Sequence, residues 1–314
     1  MKLVNSSPIL IVPGEKKSIF FEIFFKSVKS KKFMSPLILV CNKKILDKET
    51  KKYRFNTKIE LINLDHIIKK RLKKKRLYII DIKNHNSKTY IQECFSLAFK
   101  IIKKGLSSKL INGPINKTKT LKKKHLGVTE YVAKNFNQKK FAMLIYNDNL
   151  SVCPITTHLP LKLVSKKITK KLIEEKITII NWFYNKILGF KPIIGVVGLN
   201  PHCESILEFN EDTKIILPTI NLLKKRGIKV SGPYPSDTIF MKNNIKKFDV
   251  IVGMYHDQVL APIKTLFEYD AINITIGLPF LRVTPDHGPN EMMVGKGKSN
   301  PTSLIKAMSF LDKR

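Results

Sequence analysis

Three of the seven histidines, His158, His202 and His256, each stand just after a short apolar run: in Thr156-Thr157-His158, Gly198-Leu199-Asn200-Pro201-His202 and Gly253-Met254-Tyr255-His256-Asp257-Gln258. Imidazole is the commonest protein ligand for zinc and related ions, and a three-histidine set leaves coordination positions where substrate oxygens can bind. The separations are too large for a local motif, so a fold has to bring the three together. One histidine in a loop is more often structural than a ligand; three at equivalent positions after strands argue for a divalent-metal centre. Asp257, next to His256, can orient an imidazole from behind or serve as an acid–base group.

A second constellation is Lys264, Asn273 and Arg282. Only six of the 58 basic residues are arginine, so an arginine that interrupts Leu278-Pro279-Phe280-Leu281 suggests a need for bidentate geometry toward carboxylate or phosphate. The alternatives are a surface salt bridge for Arg282 and simple solvation for Lys264. A third feature is the turn Gly295-Lys296-Gly297-Lys298 ahead of a C-terminal helix, with Ser299, Thr302 or Ser303 as caps. Such a turn can present backbone N–H groups to a phosphate. It is not a Walker sequence, and no G-x-G-x-x-G follows the first strand, which disfavours an ordinary Rossmann cofactor site.

The elements that must position these residues are legible as alternating patterns. Ile9 to Val12, Leu37 to Val40, Tyr78 to Ile80 and Leu110-Ile111 read as strands beside lysine-rich helical stretches. Phe141 to Tyr146, Pro192 to Val197, Val250 to Val252 and Ile272 to Ile276 continue the rhythm, with a long helical segment at Lys162 to Leu188. That alternation predicts a mostly parallel sheet covered by helices. In open α/β sheets the carboxyl ends of strands face the ligand crevice, so several loops are expected to converge on one cleft. No repeat or linker interrupts the chain.

At 314 residues the chain is long enough for two α/β domains. The net charge of +34 raises polyanion binding. Scarce arginine and lysine spread along the whole chain favour the other reading, compositional drift on solvated faces, including the run Lys69 to Arg76. No specific nucleic-acid partner is expected. The cysteines, Cys41, Cys94, Cys153 and Cys203, include no C-x-x-C pair and suit single buried thiols in a reducing compartment. No apolar stretch reaches the roughly 18 residues of a membrane span, and no signal peptide is apparent. A cytoplasmic location follows.

The motifs Asn112-Gly113-Pro114-Ile115-Asn116-Lys117, Thr129-Glu130-Tyr131, Thr156 to Leu161, Gly198 to His202, Gly232-Pro233-Tyr234-Pro235-Ser236-Asp237-Thr238, Tyr255 to Gln258 and Asn273 to Arg282 resemble, in order, those of the 4-hydroxythreonine-4-phosphate dehydrogenase family. The match runs from about residue 110 to the end. It implies an α/β fold like the isocitrate and isopropylmalate dehydrogenases: two α/β/α domains with the cleft between them, in an obligatory homodimer. Residues 1–130 plus 275–314 would form the cofactor side, and 131–274 the metal, substrate and dimerisation domain.

The resemblance implies NAD(P)-dependent oxidation of 4-phosphooxy-L-threonine in pyridoxal phosphate synthesis, the 3-oxo product losing carbon dioxide. His158, His202 and His256 match the family's metal ligands, one contributed across the dimer, for zinc, magnesium or cobalt. Thr129, Lys264, Asn273 and Arg282 match its substrate positions, and Lys264 and Asp257 are the acid–base candidates. The stretch Asp286 to Asn300, with Asp286, His287, Gly288, Gly297 and Asn300, corresponds to its nicotinamide-cofactor segment.

The chain departs from the pattern in places. Gly127-Val128-Thr129-Glu130 stands where the family has Gly-His-Thr-Glu, so a substrate-contacting imidazole is missing. Lys16 to Phe20, Cys203 to Leu207 and Pro289-Asn290-Glu291 replace glycine-rich or small-residue turns. Two other readings remain: a dehydrogenase of a phosphorylated four-carbon sugar acid, and a decayed enzyme acting as a basic binding protein.

Overall fold

The computed structural model describes residues 7–69, 72–83, 89–115 and 127–314. Asn116 and Lys117 of the first motif, and Lys70 and Arg71 of the basic run, lie outside them. The chain divides into two compact units, Met1–Phe136 with Leu278–Arg314 and Asn137–Gly277.

The first unit holds β1 (Ile9–Val12), β2 (Leu37–Cys41), β3 (Ile59–Ile62), β4 (Leu77–Asp81), β5 (Lys109–Asn112) and, returning from the end of the chain, β12 (Leu281–Pro285). Their order is β3-β4-β2-β1-β5-β12, with every pairing parallel. Parallel strands covered on both faces carry unbroken apolar runs, and β1 and β2 are buried along their whole length. The helix Phe20–Ser30 supplies one cover. Its Phe20, Ile23, Phe24 and Phe25 are fully buried, and Phe25 stacks on Phe55 with ring centroids 4.4 Å apart. At the carboxyl ends of β1 and β5 the chain segments touch, with Gly113 N–H donating to Val12 O and Glu15 N–H to Pro114 O. A Cβ at Gly113 would collide with Pro13 O, and one at Gly14, whose φ is +84°, with Pro114 O.

The second unit contains β6 (Ala142–Tyr146), β7 (Ser151–Pro154), β8 (Ile194–Val197), β9 (Val230–Tyr234), β10 (Val250–Gly253) and β11 (Ile272–Ile276), in the order β11-β6-β7-β10-β8-β9. Strands β7, β10, β8 and β9 are parallel, while β6 is antiparallel to both β11 and β7. Its core gathers Val152, Val197, Ile251 and Val259 from three strands and the helix His256–Phe267.

The mixed α/β architecture agrees with the sequence pattern, with two corrections. The stretch from Lys162 to Leu188 is not one helix. It breaks at the extended Ile168, and Thr169 caps a new helix, Lys170–Phe183, by accepting from Leu172 N–H. A threonine hydroxyl competes well for a free amide only at a helix start. Arg282 does not interrupt an apolar turn but lies inside β12. Three cysteines are buried and unpaired, whereas Cys203 is half-buried, and burial pushes the Cys94 and Cys153 thiols up to about 12. Among the described residues no helix is long and apolar enough to cross a membrane.

Candidate active site

Strands β7, β10 and β8 lie side by side and parallel, so the chain leaves all three at the same end. His158, His202 and His256 follow those three ends. Hydrogen bonds tie the loops to one another. Thr156 Oγ1 donates to Met254 O at 2.7 Å. The buried Gln258 accepts from Met254 N–H through Oε1 and donates from Nε2 to Gly198 O, each at 2.7 Å. The loop after β10 is therefore the middle member of a bracket, joined on one side to the β7 loop and on the other to β8.

The β8 loop has its own anchor. Asp212 is fully buried, and its carboxylate accepts from Leu199 N–H (2.7 Å), Asn200 N–H (3.1 Å) and Asn200 Nδ2 (2.9 Å). A Cβ at Gly198 would strike both Asp212 Oδ1 and Cys203 Sγ, so the loop closes this tightly only with glycine there. His202 and Cys203 both take positive φ, 54° and 63°. L-residues rarely adopt that region, and they hold it where the surroundings over-determine it.

His158 and His256 are brought together, with ring centroids 5.8 Å apart and 37° between planes. Two imidazoles on one tetrahedral ion, with metal–nitrogen bonds of about 2.0–2.1 Å, hold their centroids roughly 5 Å apart. The observed separation is slightly larger than that value. His256 Nδ1 lies 2.7 Å from Asp257 Oδ1, which leaves Nε2 for a metal, the usual arrangement behind a ligating imidazole. Among the described residues no group of three or more His, Cys, Asp or Glu side chains is close enough to hold an ion. One chain therefore pairs His158 with His256 and does not add His202 to them. Lys264 lies two turns along the helix His256–Phe267 and Asn273 in β11, both half-buried in this same unit.

The first unit holds the other substrate candidates. Arg282 is 3% exposed, which removes the surface-salt-bridge alternative. Its Nε donates to Asn112 Oδ1 at 2.8 Å and its Nη1 to Thr129 Oγ1 at 3.1 Å. Thr129 is itself buried in the first turn of the helix Val128–Asn135. Desolvation lowers the guanidinium pKa to about 10, against a smaller opposing pull from Glu130. The group stays cationic at neutral pH. A buried, pre-oriented guanidinium is costly to build and well suited to a planar oxyanion.

In the proposed cofactor stretch, Asp286 N–H donates to Ser303 Oγ and His287 Nδ1 contacts Gly288 O, each at 2.8 Å. Gly297 has a φ of 69° and its carbonyl accepts from Lys26 Nζ at 2.7 Å. Asn300 Oδ1 accepts from Thr302 N–H at 2.9 Å, so Asn300, and not Ser299, Thr302 or Ser303, satisfies the start of the helix Thr302–Asp312. The Ser299 N–H is taken by the buried Glu22 carboxylate at 2.7 Å. Desolvation pushes Glu22 upward, but Lys26 and Ser299 outweigh it and hold the group below the ordinary carboxylate range. Sequence reasoning missed Asp212, Gln258, Glu22 and Lys26. One signal was available: with 24 acidic against 58 basic residues, a retained acid is as informative as a retained arginine.

Comparison with known proteins gives a consistent result. The family model described as pyridoxal phosphate biosynthetic protein PdxA matches residues 32–311. A 4-hydroxythreonine-4-phosphate dehydrogenase of Sulfurihydrogenibium sp. (strain YO3AOP1) is 34% identical, covering 96% of each chain. A D-threonate 4-phosphate dehydrogenase of Pectobacterium atrosepticum is 36% identical over 66% of this chain and 67% of its own. The solved structure of a putative 4-hydroxythreonine-4-phosphate dehydrogenase from Salmonella typhimurium superposes with a TM-score of 0.83 at 27% identity, covering 98% and 99% of the two chains. A β-decarboxylating dehydrogenase from Thermococcus kodakarensis, at 13% identity and a TM-score of 0.53 over 97% of this chain and 82% of that one, shares the fold.

Proposed function

The chain belongs to the PdxA family of pyridoxal phosphate biosynthetic proteins, dehydrogenases acting on a CH–OH group, and from that premise we propose the substrate, the groups it requires and the residues that serve it. The reaction is oxidation of 4-phosphooxy-L-threonine to 2-amino-3-oxo-4-phosphooxybutanoate, which loses carbon dioxide to give 3-amino-2-oxopropyl phosphate. The observation that carries the reading is the buried Arg282, held by Asn112 and Thr129. It is a fixed oxyanion receptor, positioned by two side-chain acceptors, in a chain with only six arginines among 58 basic residues.

NAD or NADP is the hydride acceptor, on the side of the first unit and its Asp286 to Asn300 stretch. A divalent ion (zinc, magnesium or cobalt) fits the imidazole donors of the second unit, where the His158 and His256 ring centroids lie 5.8 Å apart. When bound, such an ion supplies Lewis acidity toward the substrate hydroxyl. The protein's own residues do the rest. His158 and His256 come from one protomer of a homodimer and His202 from its partner. Asp257 holds the His256 tautomer, and Lys264 moves the hydroxyl proton. Arg282, Thr129, Lys264 and Asn273 receive the phosphate and carboxylate, and a single well-placed donor of this kind contributes about 2.7–4 kcal/mol to the transition state.

A second reading, oxidation of threonate or erythronate 4-phosphate, is favoured by the Pectobacterium relative and by Val128, which cannot hydrogen-bond at the mouth of the Thr129 helix. The test is nicotinamide reduction by metal-reconstituted protein given 4-phosphooxy-L-threonine, beside His202→Ala and a chelator-treated control. Turnover abolished in both controls is expected. A silent wild type that still takes up metal, with turnover of threonate 4-phosphate, would transfer the assignment to the sugar acid.

A further inference from the structure

The amino-terminal end of the first unit's sheet contains a feature that the dehydrogenase reaction does not use. Lys109, Ile9, Leu37 and Leu77 form one row across β5, β1, β2 and β4. Around Leu37 and Leu77 opens a cavity of about 420 Å³, in the size range of small-molecule sites. Its lining includes five cations, Lys31, Lys32, Lys58, Lys75 and Arg76, over an apolar floor that contains Phe33, and no carboxylate. Arg76 reaches Glu60 at 3.8 Å and Lys31 donates to Ser309 Oγ at 2.8 Å. Among the described residues, Lys32, Lys58 and Lys75 form no ion pair.

A net charge of +34 makes lysine-rich surface common on this protein, so the cations alone carry little. The independent sign lies beneath them. Lys109 has no exposed surface, and its ammonium donates to Ser35 Oγ, a residue of the cavity wall, at a long 3.4 Å. No carboxylate pairs with it among the described residues. Asp312 is spent on Met34 N–H and Ser35 N–H at 2.9 and 2.6 Å. Burial pushes the Lys109 pKa down, and Asp312 opposes this only in part. A buried ammonium with one long hydrogen bond is expensive unless further negative charge comes near, and Ser35 is the group through which an occupant of the cavity would supply it.

We infer that this cavity is a second anion site, taking a small phosphate monoester whose apolar body lies on the Phe33 floor while Lys32, Lys58 and Lys75 meet the phosphate. It is separate from Arg282 and Asn112: Asn112 is three residues further along β5 from Lys109, roughly 10 Å away at strand spacing. Phenyl phosphate is a suitable probe because it carries both features and is no substrate for oxidation.

The experiment is limited acetylation of the intact protein with and without phenyl phosphate, read lysine by lysine by mass spectrometry. Acetylation of Lys32, Lys58 and Lys75 should slow several-fold, while Lys170, Lys171 and Lys224 on the second unit are unaffected. Calorimetric titration should then show phenyl phosphate binding weakened about tenfold or more in K32A/K58A/K75A, and retained in the charge-matched K170A/K171A/K224A. Equal slowing at all six lysines, no slowing, or equal loss in the two variants overturns the site, since each is what diffuse charge screening gives. Equal protection by inorganic phosphate overturns the role of the apolar floor.

Discussion

Arg282 on β12 pairs in register with Leu110, the residue after Lys109 on β5, and Arg282 and Lys109 are both buried cations. They differ in what satisfies them. Arg282 has two side-chain acceptors placed along its fork, Asn112 Oδ1 for Nε and Thr129 Oγ1 for Nη1, and lysine cannot reproduce that planar geometry. Arg282→Lys is therefore expected to lower kcat/KM for the phosphorylated substrate by about 10²-fold, or roughly 2.7 kcal/mol of transition-state stabilisation. Steady-state kinetics checks this, with circular dichroism confirming the fold. A variant within twofold of wild type would show that the guanidinium is structural. The imidazole at His256 has a similar logic, since the Asp257 contact engages Nδ1 and leaves Nε2 as the nitrogen that the proposed metal would take.

At the scale of the element, the end of the second unit that carries His158, His202 and His256 is a set of loops fastened by side-chain hydrogen bonds. Asp212 receives three N–H donors from residues 199 and 200. Replacing it by asparagine would turn one acceptor oxygen into a donor facing donors, and hydrogen bonds to charged groups are worth about 1.5–3 kcal/mol each. Asp212→Asn is expected to cost about 1–3 kcal/mol of stability in urea unfolding and to weaken zinc uptake some 10–100-fold in competition with a chelator. Unchanged zinc affinity would detach the β8 loop from metal binding. In the first unit Glu22 and Lys26 fasten the stretch proposed for the cofactor in the same way, from the helix Phe20–Ser30 to Gly297 and Ser299.

For the whole molecule, the central expectation is that the functional centre needs two copies of the chain. His158 and His256 meet within one protomer, while His202 does not join them. If the third ligand comes from the partner subunit, a heterodimer of His158→Ala and His202→Ala chains contains one centre with every ligand intact. Mixing the two inactive variants under exchange conditions should then restore up to about a quarter of wild-type activity, from random pairing in a two-fold dimer. No recovery, with exchange confirmed by mass spectrometry, would place all three ligands on one protomer.

Much of this was legible before any coordinates. The fully buried strands announce themselves as continuous apolar runs because a covered parallel sheet excludes polar side chains from both faces. The histidines stand out because they follow those runs, and the ordered motifs carried the family, the α/β fold and the dehydrogenase reaction. These are local signals, each readable within a few residues. The broken helix at Ile168-Thr169 was missed because a threonine cap and a helix-interior threonine look alike in sequence. What only the tertiary structure decided is which charges are buried and whom they meet. Asp212 and Gln258 knit the loops, Glu22 and Lys26 fasten Gly297 and Ser299, Arg282 is sealed between Asn112 and Thr129, and Lys109 is left beneath a cationic cavity. Such pairings join residues far apart along the chain, and the free energy that selects them, desolvation of a charge against the donors and acceptors that surround it, is defined only once the fold has brought those partners together.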